Sequence, residues 1–225
     1  MENRVGQEKS RRTGVKFSFQ SMLMLMAAIM MALVTLTSCV EDDKNDDDKE
    51  LNKDGLTEDV LKLLQGGSLE KIKELGMEIN GGNKPPNIEG TYLVSPYRTI
   101  KSTLPGDSWL NLVMVDATLI FSEQNTSKLT VSTYFEQLSG VEEGKGTGSF
   151  ITGSGNKFTV FVKMAKTLNG IPYEAIYVFS GEISSSGINN YQNVYIVTKE
   201  NQYTTLPEGE ARLNIDDDGL AERIK

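Results

Sequence analysis

The feature that most constrains the fold is a change of hydrophobic period near Ile88, after which apolar side chains recur at every second residue. Leu129, Val131, Thr133 and Phe135 alternate with Thr130, Ser132 and Tyr134, and Phe158, Val160, Val162 and Met164 alternate with Thr159, Phe161 and Lys163. Successive side chains of a strand point to opposite faces, so this spacing predicts β-strands and excludes helices. Between the two segments, Gly153-Ser154-Gly155-Asn156 supplies residues that accept the positive φ of a tight hairpin. The alternation predicts eight strands, at about 89–95, 110–116, 117–122, 128–136, 147–152, 157–165, 173–183 and 191–199. Eight antiparallel strands joined as neighbouring hairpins predict an up-and-down barrel, which has no exposed edge and has room for one small ligand. A two-sheet sandwich is the alternative. A membrane-spanning barrel is disfavoured, because Lys128, Lys163 and Glu174 interrupt the strands.

A short helical pair precedes this region. Thr57 is the expected N-cap before Glu58 and Asp59, with Val60, Leu61, Leu63 and Leu64 as an apolar stripe. Gly66-Gly67 interrupts it, and Ser68 is the expected cap of a second helix carrying Leu69, Ile72 and Leu75 and stopped by Gly76. Two such short helices do not fold alone, so the pair is expected to pack on the β domain, plugging one end of it. Gly81-Gly82-Asn83-Lys84-Pro85-Pro86 is then a connector. The resulting domain organisation is a leader at 1–38, an acidic linker at 39–56, the helical pair at 57–84 and the β domain at 85–225, enough chain for one core.

The first fifty residues set the location. A basic stretch with Arg11, Arg12 and Lys16 is followed by the apolar run Met22 to Val34, and then by Leu36-Thr37-Ser38-Cys39. That run resembles the lipobox of bacterial lipoproteins, which implies cleavage before Cys39 and a lipid anchor on its sulfur and new amino terminus. An uncleaved signal anchor is the alternative, since no charge falls between Phe17 and Val40. Cys39 is the chain's single cysteine, so no internal disulfide is possible in an oxidising compartment, whereas a lipidated cysteine needs no partner. Glu41 to Glu50 is an acidic run expected to stay solvated and disordered. It resembles the acidic export signal of Bacteroidota surface lipoproteins, which implies an outer-membrane, cell-surface position; a periplasm-facing one is the alternative. The leader holds five Lys/Arg and two Asp/Glu, so its removal takes the formal net charge from −8 to −11. That balance argues against nucleic acid and anionic lipid surfaces as partners.

Pro85-Pro86-Asn87-Ile88-Glu89-Gly90-Thr91-Tyr92, the Gly153-Ser154-Gly155-Asn156-Lys157-Phe158-Thr159 hairpin and the closing Asp216-Asp217-Asp218-Gly219-Leu220-Ala221 together resemble an uncharacterised family of lipocalin-like lipoproteins of the Bacteroidota. Gly90-Thr91-Tyr92 is similar to the lipocalin opening, with Tyr92 in place of tryptophan, while the later lipocalin turn motif is absent. The resemblance spans roughly residues 57 to 225 and implies a calycin-like barrel with no catalytic motif.

The chain has no histidine, which excludes Ser-His-Asp and Cys-His mechanisms and ordinary zinc sites. Glu142, Glu143, Glu174 and Glu182 are the only acids near strands for glycoside chemistry, and exposed positions account for them. An enzyme is therefore not expected, and neither is a cofactor. Asn214, Asp216 and Asp218 resemble half of a calcium loop, but Lys225 stands where its closing glutamate belongs, so a polar terminal turn is favoured over a metal site. Candidate ligand contacts are Trp109, beside the Pro105-Gly106-Asp107-Ser108 loop, and the aromatic side chains Tyr92, Phe121, Phe135 and Tyr177. A lid role for Trp109 and a filled core are the plainer alternatives. Two functions follow: a surface-tethered module that binds a small apolar molecule or a glycan fragment, or a non-catalytic subunit docking to an outer-membrane protein partner. A continuous internal cavity would favour the first, and a solid core with an exposed apolar patch the second.

Overall fold

The computed structural model describes residues 50–137 and 142–225; the leader, Cys39 and most of the acidic run lie outside the described residues. Two short helices, α1 (Glu58–Leu63) and α2 (Ser68–Glu74), precede ten strands. These are β1 (Gly90–Val94), β2 (Tyr97–Ser102), β3 (Ala117–Asn125), β4 (Thr130–Gln137), β5 (Glu142–Ser154), β6 (Lys157–Leu168), β7 (Ile171–Ile183), β8 (Gly187–Lys199), β9 (Ala211–Asp216) and β10 (Leu220–Arg223). All ladders between them are antiparallel.

The expectation of eight strands needs correcting in its members. Residues 110–116 form no strand of the sheet, and β2, β9 and β10 lie outside the eight expected segments. Pairing nevertheless runs β1-β3-β4-β5-β6-β7-β8-β10 and back to β1, a barrel-like ring of eight. β9 and β10 both pair with β8, Ala211 opposite Ile196 and Leu220 opposite Asn189, so they act as one strand interrupted at 217–219. β1 and β2 likewise run on from one another across Ser95-Pro96, facing β10 and then β9. Where β2 leaves the ring, the segment 111–114 lies beside it through hydrogen bonds between Thr99 and Leu112 and between Tyr97 and Met114.

The expected hairpin is present: β5 ends at Ser154, and Gly155, at φ 64°, turns the chain into β6. The seam between β8 and β10 also requires a glycine. Gly187 has φ 150°, and a Cβ there would lie 2.1 Å from the Ala221 carbonyl oxygen.

Each strand buries its alternate side chains in one of two clusters. The inward set includes Tyr92, Leu119, Phe121, Phe135, Phe158, Val160, Val162, Met164, Tyr177 and Phe179. The outward set on β6 to β9 is Phe161, Ile176, Val178, Val194, Ile196, Ala211 and Leu213, which meet Leu56, Val60, Leu64, Ile72 and Leu75. The helical pair therefore covers the outer face of the sheet and does not plug an end, because only that face presents apolar residues matching its stripe. Thr57 caps α1 as expected, accepting from the Val60 N–H. Ser68 is not the cap of α2: Gly67 holds that position with φ 83°, while the Ser68 hydroxyl donates to the Gln65 carbonyl. Leu56, placed in the linker by composition, is fully buried, so the packed domain starts ahead of the first helix. Downstream of α2, Asn80 donates through its N–H to Thr159 Oγ1 and its carbonyl accepts from Thr152, laying the connector across β5 and β6.

Candidate functional site

At one end of the ring the inward positions stop being apolar. On β6 the series Phe158, Val160, Val162, Met164 is continued by Lys166, whose side chain has no exposure at all. Strand register places Tyr173 opposite Lys166, Leu168 opposite Glu142, Tyr195 opposite Tyr177 and Arg212 opposite Tyr195, so five neighbouring strands, β5 to β9, deliver one polar girdle.

Lys166 forms an ion pair with Glu142 and donates to Tyr177 Oη at 3.0 Å. Its ammonium lies 4.5 Å from the centroid of Phe135 and 4.4 Å from that of Tyr177, over both ring faces. Glu142 Oε1 also accepts from the Tyr173 hydroxyl and, at 2.9 Å, from the Tyr177 hydroxyl. Burial raises the Glu142 carboxyl, but the Lys166 ammonium and the tyrosine donors outweigh it, leaving the group below its ordinary range. Burial pushes the Lys166 amine down, and Glu142 only partly offsets this. Burial pushes the Tyr173 hydroxyl far up, with the Glu142 charge adding to it.

A second ion pair adjoins the first. Arg212 donates to both oxygens of Asp107, at 2.7 Å and 2.9 Å, and both side chains are 2% exposed. The same guanidinium donates to Tyr195 Oη at 2.8 Å and Thr205 Oγ1 at 3.0 Å, and lies 5.5 Å from the Trp109 ring. Arg212 thus ties the 103–116 segment and the 200–210 loop to the ring wall. Burial raises the Tyr195 hydroxyl to about 12 in spite of Arg212 beside it. Burial also raises Asp107, but bonds from Arg212 and Ser102 and the Trp109 N–H outweigh it and hold the carboxyl low.

Further into the ring a set of polar side chains is satisfied internally, while the buried hydroxyls of Thr133 and Tyr191 have no hydrogen-bond partner among the described residues. Tyr97 donates to Asn193 at 2.8 Å, Thr99 donates to Asn214 at 2.8 Å, and Asn214 donates to Asn193 at 3.2 Å.

The sequence-predicted contacts are placed as follows. Tyr92, Phe121, Phe135 and Tyr177 all face inward, and they fill the ring instead of lining a hollow one. Phe121 meets Phe158 and Phe179 edge-on at 6.0 Å and 6.1 Å, and Phe135 meets Tyr177 at 5.7 Å. Trp109 sits at the polar end, half-buried, packed against Arg212 as a cover over the ion pair. The calcium candidates do not converge on a loop. Asn214 points into the ring, while Asp216 accepts from the Ser95 N–H at 2.8 Å and the Asp218 N–H at 3.3 Å. Among the described residues no group of three metal-ligating side chains occurs. Of the four strand acids, Glu174 pairs with exposed Lys163 and Glu182 with exposed Lys157, as a surface reading expects. Glu142 overturns that reading, since it is drawn inside by Lys166.

Next to this girdle lies a cavity of about 50 Å³ lined by Glu142, Leu168, Tyr173, Tyr195, Val197 and residues 204–206. Outside, the 103–116 segment carries Leu110, Leu112, Val113 and Val115, which are 42%, 48%, 52% and 48% exposed. Beside it a groove of about 250 Å³ runs between Leu110, Ile100, Lys101 and the Glu74-Leu75 end of α2.

No known protein family matches this chain, and no curated protein or solved structure is detectably similar to it.

Proposed function

We propose that this chain is an outer-membrane, surface-exposed lipoprotein, tethered through Cys39, whose lipocalin-like up-and-down barrel is a non-catalytic docking module. The observation that carries the reading is the contrast between a ring packed solid with aromatic side chains and an exposed apolar run on one loop. A carrier of apolar molecules needs internal volume, and the interlocking side chains of Phe121, Phe135, Phe158, Tyr177 and Phe179 occupy the centre of the ring. Contiguous exposed aliphatic side chains, by contrast, are what a docking surface requires.

The occupant that fits best is a protein resident in the same membrane. Covering four half-exposed aliphatic side chains contributes about 1 kcal/mol each, or about 4 kcal/mol in all, which corresponds to a Kd of about 1 mM between free partners. Confinement of both partners to one membrane raises their effective concentration to compensate for that weakness. A lipid surface fits less well: the exported chain carries a formal net charge of −11, and Asp116 directly follows the apolar run.

A photo-crosslinking residue at Leu112 of the full chain, expressed in its own host, tests the reading. The expected result is one discrete membrane-protein adduct that disappears in a Leu110→Asp/Val113→Asp background and weakens when Cys39→Ala releases the chain from membranes. The same probe at Lys128 should give no such adduct. An adduct unaffected by the two aspartates, or no adduct from a folded and membrane-bound chain, overturns it.

A further inference from the structure

We propose that the small cavity at the polar end of the ring is a binding site for a neutral polyol, specifically the terminal diol or hydroxymethyl group of a sugar. The inference is independent of the docking loop and concerns the interior.

The lining dictates the chemistry. Both charged pairs beside the cavity are compensated internally, Lys166 by Glu142 and Arg212 by Asp107, so the site has no net charge to offer an ion. What it does offer is unspent hydrogen-bonding capacity. Among the described residues, the three donors to Glu142 converge on Oε1, and Oε2 receives none. Glu142 lines the cavity, and its side chain is 19% exposed. Tyr195 Oη accepts from Arg212, which leaves its own proton to give, and Thr205 Oγ1 stands in the same relation to the same guanidinium. The cavity is thus edged by one acceptor and two donors. A hydroxyl both donates and accepts, and a pair of adjacent hydroxyls matches this set. A carboxylate would face Glu142, and a cation would find no net charge to offset its desolvation, because both neighbouring ion pairs are internally compensated.

Size sets the limit on what enters. A volume of about 50 Å³ holds roughly three to five water-sized groups, at about 10–15 Å³ each, so a diol or hydroxymethyl group enters and the ring of the sugar stays outside. Leu168, Val197 and Leu206 form the apolar remainder of the wall, suited to the carbon side of such a fragment. The buried ion pairs supply rigidity: Lys166 fixes Glu142, and Arg212 fixes both Tyr195 and Thr205, so the three polar edges are held before a ligand arrives.

The test is a titration of the isotope-labelled full chain, in a detergent without a sugar headgroup, with methyl β-D-glucopyranoside followed by NMR. Resonances of Glu142, Leu168, Tyr173, Tyr195 and residues 204–206 should shift together, saturating with a Kd in the millimolar range expected for a few buried atoms. Because the site is neutral, added salt should leave that Kd unchanged. Leu168→Trp fills the cavity without removing a hydrogen bond and should abolish the shifts. Should that variant fail to fold, Tyr195→Phe, which removes one donor, should weaken binding about threefold to tenfold. Tetramethylammonium, titrated in parallel, should leave these resonances in place. Absence of site shifts with the glucoside, shifts that persist in a folded Leu168→Trp chain, or a salt-sensitive response to tetramethylammonium overturns the assignment.

Discussion

Replacing Glu142 by Gln removes one charge from an ion pair whose lysine is fully enclosed. Lys166 then keeps its ammonium at zero exposure with neutral partners alone, the Gln amide oxygen, Tyr177 Oη and two aromatic faces. Stripping one partner from a buried pair costs about 3–5 kcal/mol, because the survivor stays desolvated. For a domain of this size, each 1 kcal/mol lowers the Tm by about 2–4 °C, so the expected fall is roughly 6–20 °C. The reverse substitution, Lys166→Met, is expected to cost less, about 1–3 kcal/mol, since Glu142 retains two tyrosine donors and partial contact with solvent. The double variant leaves no buried charge, and its stability should lie within about 1 kcal/mol of Lys166→Met alone. The Glu142→Gln penalty also has a pH signature. Burial already holds the Lys166 amine below its ordinary range, and loss of Glu142 lowers it further. An amine depressed in the folded state destabilises it while charged, so stability of this variant should recover as pH rises toward the ordinary lysine range. Urea and thermal unfolding of the three variants, followed by near-ultraviolet tyrosine circular dichroism, measure the cycle. A Glu142→Gln cost below about 1 kcal/mol, or single costs that simply add in the double variant, would refute the argument from desolvation.

Other outcomes follow from the same structure. Burial raises the Asp216 carboxyl to about 6 from an ordinary 3.8, so the folded state holds a proton that the unfolded chain releases between those values. Stability should therefore fall by at most about 3 kcal/mol as pH rises across that interval, and unfolding curves of Asp216→Asn should lack this component. Gly187→Ala places a methyl group 2.1 Å from the Ala221 carbonyl oxygen at the seam of the ring; a loss of about 2–4 kcal/mol, with faster amide exchange confined first to β8 and β10, is expected. Arg212→Ala abandons Asp107 at 2% exposure and releases Thr205 and Trp109, and should cost about 3–5 kcal/mol with a red-shifted tryptophan emission; Trp109 is the single tryptophan, so fluorescence reports this site alone.

Much of the ring was legible as period-two alternation, because β4 and β6 to β8 put apolar side chains inside and mixed ones outside, the pattern a half-buried strand must show. The segments that escaped it reverse that pattern. β9 turns Arg212, Asn214 and Asp216 inward and Ala211 and Leu213 outward beneath the helices, so Asn214, Asp216 and Asp218 read as a polar terminal turn. β2 follows the same logic, with Tyr97 and Thr99 spent on interior hydrogen bonds. Lys166 did carry a signal: it continues the apolar register of Phe158, Val160, Val162 and Met164 by exactly two residues, where an inward lysine demands a partner.

The sequence by itself determined the class of fold, the hairpin at Gly155, the capping role of Thr57 and the exclusion of histidine chemistry, since each rests on local geometry or on composition. Tertiary structure alone decided which acid meets Lys166, that the aromatic side chains close the interior instead of lining it, and that the helices cover an outer face. These outcomes depend on which strands become neighbours across the ring. Glu142 and Lys166 are 24 residues apart, and Asp107 and Arg212 are 105 apart, distances over which no periodicity carries information. A buried charge is stabilised only by a partner delivered to it in space, so pairing of that kind is written in the register of the sheet.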